Sequence, residues 1–263
     1  MPIKTIKMKP VSEEQFHEID YLVMKQAFEV HNCLGRFYDE DIYRDELARL
    51  CRAAGFDVET EVPVKVIHQD FSKTYFLDFL VNRSVIYELK VVRGLDGAHR
   101  RQLLNYLFLC KLFYGKLINF RSGRVESEFV STSLDEQQRH AFSLKLDDWR
   151  EVNRDSSRLK SVVEDLMNDW GAFLEARLYS EAIVHFFGGA DVVERPVEIC
   201  RNGEMIGQQK FKMLNEKTAF FFTAVKHRLD YRKYLKTLIQ NSGIECVPWI
   251  NLDKHAVEFV TVM

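Results

Sequence analysis

Two neighbouring apolar runs, Tyr75-Phe76-Leu77-Asp78-Phe79-Leu80-Val81 and Val85-Ile86-Tyr87-Glu88-Leu89-Lys90-Val91-Val92, are joined by Asn82-Arg83-Ser84. Strand-prone segments around a short turn-forming link predict a hairpin. Helical spacing flanks it. Upstream, Ser12-x-x-Gln15 is a capping-box start, and Ile19, Leu22, Val23, Phe28, Val30 and Leu34 continue a helix that stops at Gly35. A second helix follows from Glu40 through Tyr43, Leu47, Leu50, Cys51 and Ala54, stopping at Gly55. Downstream, Arg100 to Phe113 reads as a helix in which Gln102 and Tyr106 share a face.

The hairpin carries the candidate chemistry. Side chains alternate along a strand, so Glu88 and Lys90 emerge on one side, where Asp78 meets them from the neighbouring strand. Two carboxylates can hold a hard cation with water completing its shell, and a lysine beside them can orient or deprotonate the attacking water. That is the chemistry of phosphodiester cleavage. The competing reading of the hairpin alone is a solvated strand face whose charges pair across it.

Val30-His31-Asn32-Cys33-Leu34-Gly35, Glu40-x-x-Tyr43, Asp78, Glu88-Leu89-Lys90, Gln102-Leu103-Leu104-Asn105-Tyr106-Leu107 and Ile118-Asn119-Phe120 occur in that order. Together they resemble the GxxExxY proteins of the PD-(D/E)XK nuclease superfamily, over about residues 19 to 132. The resemblance implies an α/β fold with a restriction-endonuclease-like core, a mixed central sheet flanked by helices. It implies that Asp78 and Glu88 bind Mg2+ or Mn2+, that Lys90 handles the water, and that Glu40 is an accessory carboxylate. Gln102 and Tyr106 match the helical glutamine and tyrosine that exonuclease-like members place beside the site. The glycine that names the family falls at Phe37, so the turn before Glu40 is built differently.

The rest of the chain repeats the same signals. Gly35-x-Phe37-x-Asp39-x-x-x-Tyr43 recurs as Gly171-x-Phe173-x-Glu175-x-x-x-Tyr179, and Glu61-Val62-Pro63-Val64 as Glu194-Arg195-Pro196-Val197. Ile118-Asn119-Phe120 is echoed by Ile250-Asn251-Leu252, and Glu128-Phe129-Val130 by Glu258-Phe259-Val260. These echoes predict a tandem duplication, with residues 1–134 as an intact nuclease-like domain, 135–155 as a linker and 156–263 as a degenerate copy. Ungapped from Pro63 and Pro196, Asp78 falls on Phe211, Glu88 on Phe221 and Lys90 on Thr223. Aligning Lys90 with Lys226 instead puts Leu214 and Ala224 at the acidic positions, and Glu40 falls on Ala176. Either register leaves the second copy without ligands. Ala219 to Val225 reads as a buried strand, and the copies are expected to form a pseudo-dimer within the chain, with a homodimer open.

Composition narrows the classes. The 263 residues are 46% hydrophobic and 13% aromatic, enough for two domains with cores. There is no long apolar run and no leader-like start, so export and membrane insertion are not expected and the cytoplasm is. Cys33, Cys51, Cys110, Cys200 and Cys246 are dispersed and read as reduced core thiols, without zinc or disulfides. A net charge of -2 does not suggest a protein coated in nucleic acid. Locally, however, Arg93, Arg100, Arg101, Lys111, Lys116, Arg121 and Arg124 stand against the single acid Asp96 just after the proposed site. That excess suits a polyanion, with Arg93, Arg100, Arg101 and Tyr106 as the expected nucleic-acid contacts and DNA or RNA as the partner.

Other chemistries fit less well. The histidines lack metal spacing, and His31 reads as a packed or hydrogen-bonded residue. No phosphate-binding loop or dinucleotide fingerprint occurs, and Ser131 and Ser143 have no His and Asp partners. Sugar hydrolysis by Asp78 and Glu88 conflicts with Lys90, which favours ionised carboxylates when one must stay protonated. The expected function is metal-dependent hydrolysis of nucleic acid. The rival is a non-catalytic module that binds nucleic acid or protein on the same fold.

Overall fold

A computed structural model of the chain describes residues 3–263. The chain divides into two compact units, the residues up to Ile67 with Ser72–Glu136, and His68–Phe71 with Gln137–Met263.

The first unit contains β1 (Ile3–Lys4), α1 (Glu13–Leu34), α2 (Glu40–Ala53), β2 (Val58–His68), β3 (Phe71–Val81), β4 (Val85–Lys90), α3 (Gly97–Cys110), β5 (Tyr114–Asn119) and β6 (Glu126–Ser131). Ser12 caps α1, taking Gln15 N–H on its hydroxyl while the Gln15 side chain takes Ser12 N–H. The helix ends where Gly35 turns to φ 71, a region that favours glycine. Phe16, Val23, Ala27 and Val30 of α1 and Tyr43, Leu47 and Cys51 of α2 pack into one core with Phe79, Tyr87, Leu89, Ile118 and Phe120 of the sheet. Leu22 and Phe28, which the helical spacing includes among the apolar positions, lie on the outer side of α1 and are 45% and 49% exposed.

The six strands pair in the order β1-β2-β3-β4-β5-β6. The expected hairpin is β3 and β4, antiparallel with Phe79 opposite Tyr87 and Val81 opposite Val85. Its turn uses Asn82 and Arg83 at φ 53 and 57. From β4 the chain crosses through α3 to β5, which runs parallel to β4. A parallel pair needs such a crossover, and it sets the carboxyl ends of the two strands side by side, with Lys90 opposite Asn119. Gly115 is required where α3 closes on the sheet, because a Cβ there would stand 2.9 Å from Ile86 O and 3.1 Å from Leu103.

The second unit contains β7 (Ser143–Asp148), α5 (Arg154–Trp170), α6 (Ala176–Phe186), α7 (Ala190–Val193), β8 (Glu194–Arg201), β9 (Glu204–Lys212), β10 (Phe221–Thr223), α8 (Arg228–Gln240), β11 (Val247–Asp253) and β12 (Ala256–Val262), with α4 (Glu136–His140) at its start. Its sheet is ordered β10-β11-β12-β7, and β8 and β9 form a separate ribbon. Residues 135–155 are therefore not a free linker. β7 pairs in parallel with β12, and Arg139 of α4 is buried, its guanidinium donating to the carbonyls of Trp170 and Ala172. Those carbonyls lie at and beyond the end of α5, where unpaired acceptors attract a cation. Of the run expected as a buried strand, only Phe221–Thr223 is strand, although Ala219, Phe220 and Phe222 are buried.

Cys51, Cys110 and Cys246 are buried as expected of core thiols, whereas Cys33 is exposed at the end of α1. Among the described residues no helix is long and apolar enough to cross a membrane.

Candidate active site

The site grows out of β4, the most buried strand of the first sheet, in which every residue from Val85 to Leu89 is inaccessible to solvent. Tyr87 and Leu89 enter the core shared with α1 and α2, so alternation sends Glu88 and Lys90 to the other face. There Lys90 Nζ lies 2.6 Å from Glu88 Oε1 and 3.7 Å from Asp78 Oδ2. Asp78 is held in turn by the backbone, since Leu89 N–H donates to its Oδ2 at 2.9 Å. The structure brings the three side chains together.

Its electrostatics are those of a site short of positive charge. Glu88 is 0% exposed, and its Oε2 has no hydrogen-bond partner. Burial first, then the neighbouring Asp78 carboxylate, pushes the Glu88 carboxyl up to about 8, against the pull of Lys90. Burial works against the Lys90 ammonium, but Glu88 and Asp78 outweigh it and the lysine pKa is raised. Glu40, the first residue of α2, is near enough to take part. Burial raises its carboxyl, Lys90 opposes that and Asp78 adds to it.

The buried, unpartnered Glu88 oxygen beside a second carboxylate fits a small hard cation. Magnesium binds through one or two carboxylates and keeps its remaining waters. Among the described residues no group of three or more His, Cys, Asp and Glu side chains is placed to hold a metal ion.

The other expected residues are placed less centrally. On α3, Gln102 Nε2 donates to Tyr106 OH at 3.0 Å, and Tyr106 is nearly buried with its ring edge-on to Tyr75. Arg100 is not a free cation, because its guanidinium is 2.7 Å from Glu128 Oε1 and donates to Phe129 O. Lys111 and Lys116 are likewise engaged, by Glu136 and Asp20. Arg101 is exposed on α3, and Arg93, just after β4, is exposed as well.

Asn119, quoted in a motif but given no role by the sequence, holds the loop beyond Lys90. Its Oδ1 accepts from Val92 N at 3.1 Å, and its Nδ2 donates to Val92 O and Glu126 Oε2, both at 2.9 Å. The second unit repeats the clamp. Asn251 Oδ1 accepts from Val225 N at 2.8 Å, and its Nδ2 donates to Val225 O at 3.2 Å and Glu258 Oε2 at 3.3 Å. Asn119 pairs with Glu126 and Asn251 with Glu258, so the counterpart of Glu258 is Glu126 and not Glu128. Lys90 opposes Asn119 as Thr223 opposes Asn251, and Glu88 opposes Leu117 as Phe221 opposes Trp249. This is the ungapped register. Beside Phe221 stands Phe211, with ring centroids 6.4 Å apart.

The family model of the PD-(D/E)XK nuclease superfamily matches residues 17–131. That span holds Glu40, Asp78, Glu88, Lys90 and Gln102, and its mixed sheet flanked by helices is consistent with the superfamily's fold. No curated protein and no solved structure matches the chain.

Proposed function

We propose that the first unit hydrolyses phosphodiester bonds of nucleic acid with Mg2+ or Mn2+ held by Asp78 and Glu88, and that the second unit is a diverged tandem copy that has lost the chemistry. The observation that carries the first part is the buried, unpartnered Oε2 of Glu88, whose Oε1 meets the same Lys90 ammonium that Asp78 approaches. A divalent cation bound there would polarise the phosphoryl group and activate water. Asp78, fixed by Leu89 N–H, and Glu88, fixed by burial, present their oxygens without having to reorganise. Lys90 is an ammonium at neutral pH, because its pKa is raised. It therefore donates hydrogen bonds to the attacking water and to charge developing on the phosphoryl oxygens, rather than removing a proton. Glu40 adds a carboxylate at the rim. The GxxExxY resemblance and the superfamily match support this reading.

The duplication is supported by the succession of two helices, three strands, a helix and two strands in the first unit, which the second follows with the short α7 added before its strands. It is also supported by the paired asparagine clamps and by Tyr43 and Tyr179, whose hydroxyls donate to the carbonyls of Gly35 and Gly171.

Calorimetric titration of the chain with manganese tests the carboxylate site. Wild type is expected to bind, and Asp78→Ala and Glu88→Ala to fold yet lose binding. Undiminished binding by either variant would show that the ligands are elsewhere. Metal binding without cleavage of any DNA or RNA would favour the binding-module rival.

A further inference from the structure

The family glycine is replaced here by Phe37, and the structure displays that side chain. Phe37 is 75% exposed although its loop is firmly built. The buried Tyr43 hydroxyl donates to Gly35 O at 2.9 Å and accepts from Tyr38 N at 3.2 Å, tying both ends of the loop. Tyr43 itself stacks on Phe120, with centroids 4.7 Å apart and planes 6° apart. A 3.0 Å hydrogen bond between His31 Nε2 and Ser122 O joins the end of α1 to the loop after β5. Two guanidiniums lie over the ring, Arg36 at 5.3 Å and Arg121 at 5.9 Å from its centroid. Its counterpart in the repeated motif, Phe173, instead packs edge-on against His255 at 4.7 Å.

The ring also stands close to the chemistry. Glu40 begins α2 just beyond Phe37, and Arg121 follows Asn119, the strand partner of Lys90, by about 7 Å of extended chain. An exposed ring on a firmly built loop, with two guanidiniums lying over it that can swing to phosphates when a base takes their place, is a combination that binds single strands. The ring stacks on a base face and the guanidiniums take phosphates. A base inside a duplex has no free face to offer.

We propose that Phe37 is the stacking platform for an unpaired base and that Arg36 and Arg121 hold the adjacent phosphates, which makes single-stranded nucleic acid the substrate class of the site. This rests on the nuclease reading above and adds its specificity.

The test is a titration of the full chain into a single-stranded oligonucleotide carrying 2-aminopurine, and into the same sequence as a blunt duplex, in EDTA so that nothing is cut. Cleavage of the same two substrates in magnesium is followed in parallel. Wild type should bind the single strand more tightly and quench the 2-aminopurine. Phe37→Ala should bind it about tenfold more weakly and lose the quench, with less than about a twofold change on duplex, and Phe37→Trp should restore both. Arg121→Ala should reduce the salt slope of single-strand binding by about 0.7. Equal melting temperatures of the Phe37 variants would confirm that the fold is kept. Unchanged affinity and quench in Phe37→Ala, or equal losses on both substrates, would overturn the platform. If magnesium-dependent cleavage survived that result, the nuclease reading would stand without it. Phe37-dependent binding without cleavage would keep the platform and sink the nuclease reading, and no binding of either oligonucleotide by wild type would overturn the platform outright.

Discussion

Lys90 and Glu88 are neighbours with different expected deletion phenotypes. Lys90→Ala removes no carboxylate, so the chain should still bind manganese while cleavage falls by about 100-fold or more. Full activity in that variant would reduce the lysine to a structural charge. Glu88 also makes a prediction without metal. Its carboxyl is raised from 4.5 to about 8 in the folded chain, so between those values the folded state holds a proton that the unfolded state releases. That contribution to stability is complete below about pH 4.5 and is lost as pH rises through about 8. Urea melts in EDTA at about pH 5 and about pH 8 should show wild type losing more stability than Glu88→Gln. Parallel losses would mean that the buried carboxyl does not titrate as its surroundings dictate. These residues were legible in the sequence because strand alternation alone puts Asp78, Glu88 and Lys90 together. Arg100 was not, since it lies on α3 and the acid that engages it, Glu128, on β6. The exposure of Cys33 and the burial of Arg139 were hidden too, because neither follows from residue type.

Elements were easiest to read where local chemistry fixes them. Ser12 and Gln15 mark the start of α1, Gly35 marks its end, and Asn82-Arg83-Ser84 marks the β3 to β4 turn. They were hardest where pairing partners come from far along the chain. β7 has mostly exposed side chains, so its pattern resembles a connector until β12 pairs with it. Sequence likeness pairs Glu258 with Glu128, whereas the ladders set Glu258 opposite Asn251 as they set Glu126 opposite Asn119, and Glu126 and Glu128 fall on one face of β6. The Asn119 clamp was invisible as a clamp, since its three bonds reach Val92 and Glu126 across sequence. Asn119 is fully buried, so Asn119→Ala should take the acceptor from Val92 N–H and Arg121 N–H and one of the two donors from Glu126, and destabilise the first unit by about 1–3 kcal/mol, measured by denaturant unfolding. No loss would mean that water replaces the amide. Gly115→Ala should also destabilise, by about 1–3 kcal/mol, because the new methyl meets Ile86 O at 2.9 Å. A wild-type melting temperature would show that β5 can shift to accommodate it.

For the whole molecule, the proposed function implies one hydrolytic site per chain, because only the first unit carries the acid cluster. Where the first unit has Asp78, Glu88 and Lys90, the second has Phe211, Phe221 and Thr223, and rings do not coordinate a hard cation. Cutting both strands of a duplex requires two displacements on strands of opposite polarity. A monomer should therefore shorten single strands or nick, and double-strand breaks should require two chains. Linear plasmid as the first product of a verified monomer would contradict that count. The central claim is that Asp78, Glu88 and Lys90 form a metal-dependent site for phosphodiester hydrolysis, and one assay meets it directly. Purified chain is incubated with an end-labelled single-stranded oligonucleotide and a supercoiled plasmid, in magnesium and in EDTA, beside Glu88→Ala and Lys90→Ala. The account predicts shortened oligonucleotides or nicked circles with wild type in magnesium, and neither in EDTA nor, beyond a trace, with the variants. Wild-type cleavage by Glu88→Ala, or no cleavage of either substrate by the wild-type chain in magnesium or manganese, would contradict it.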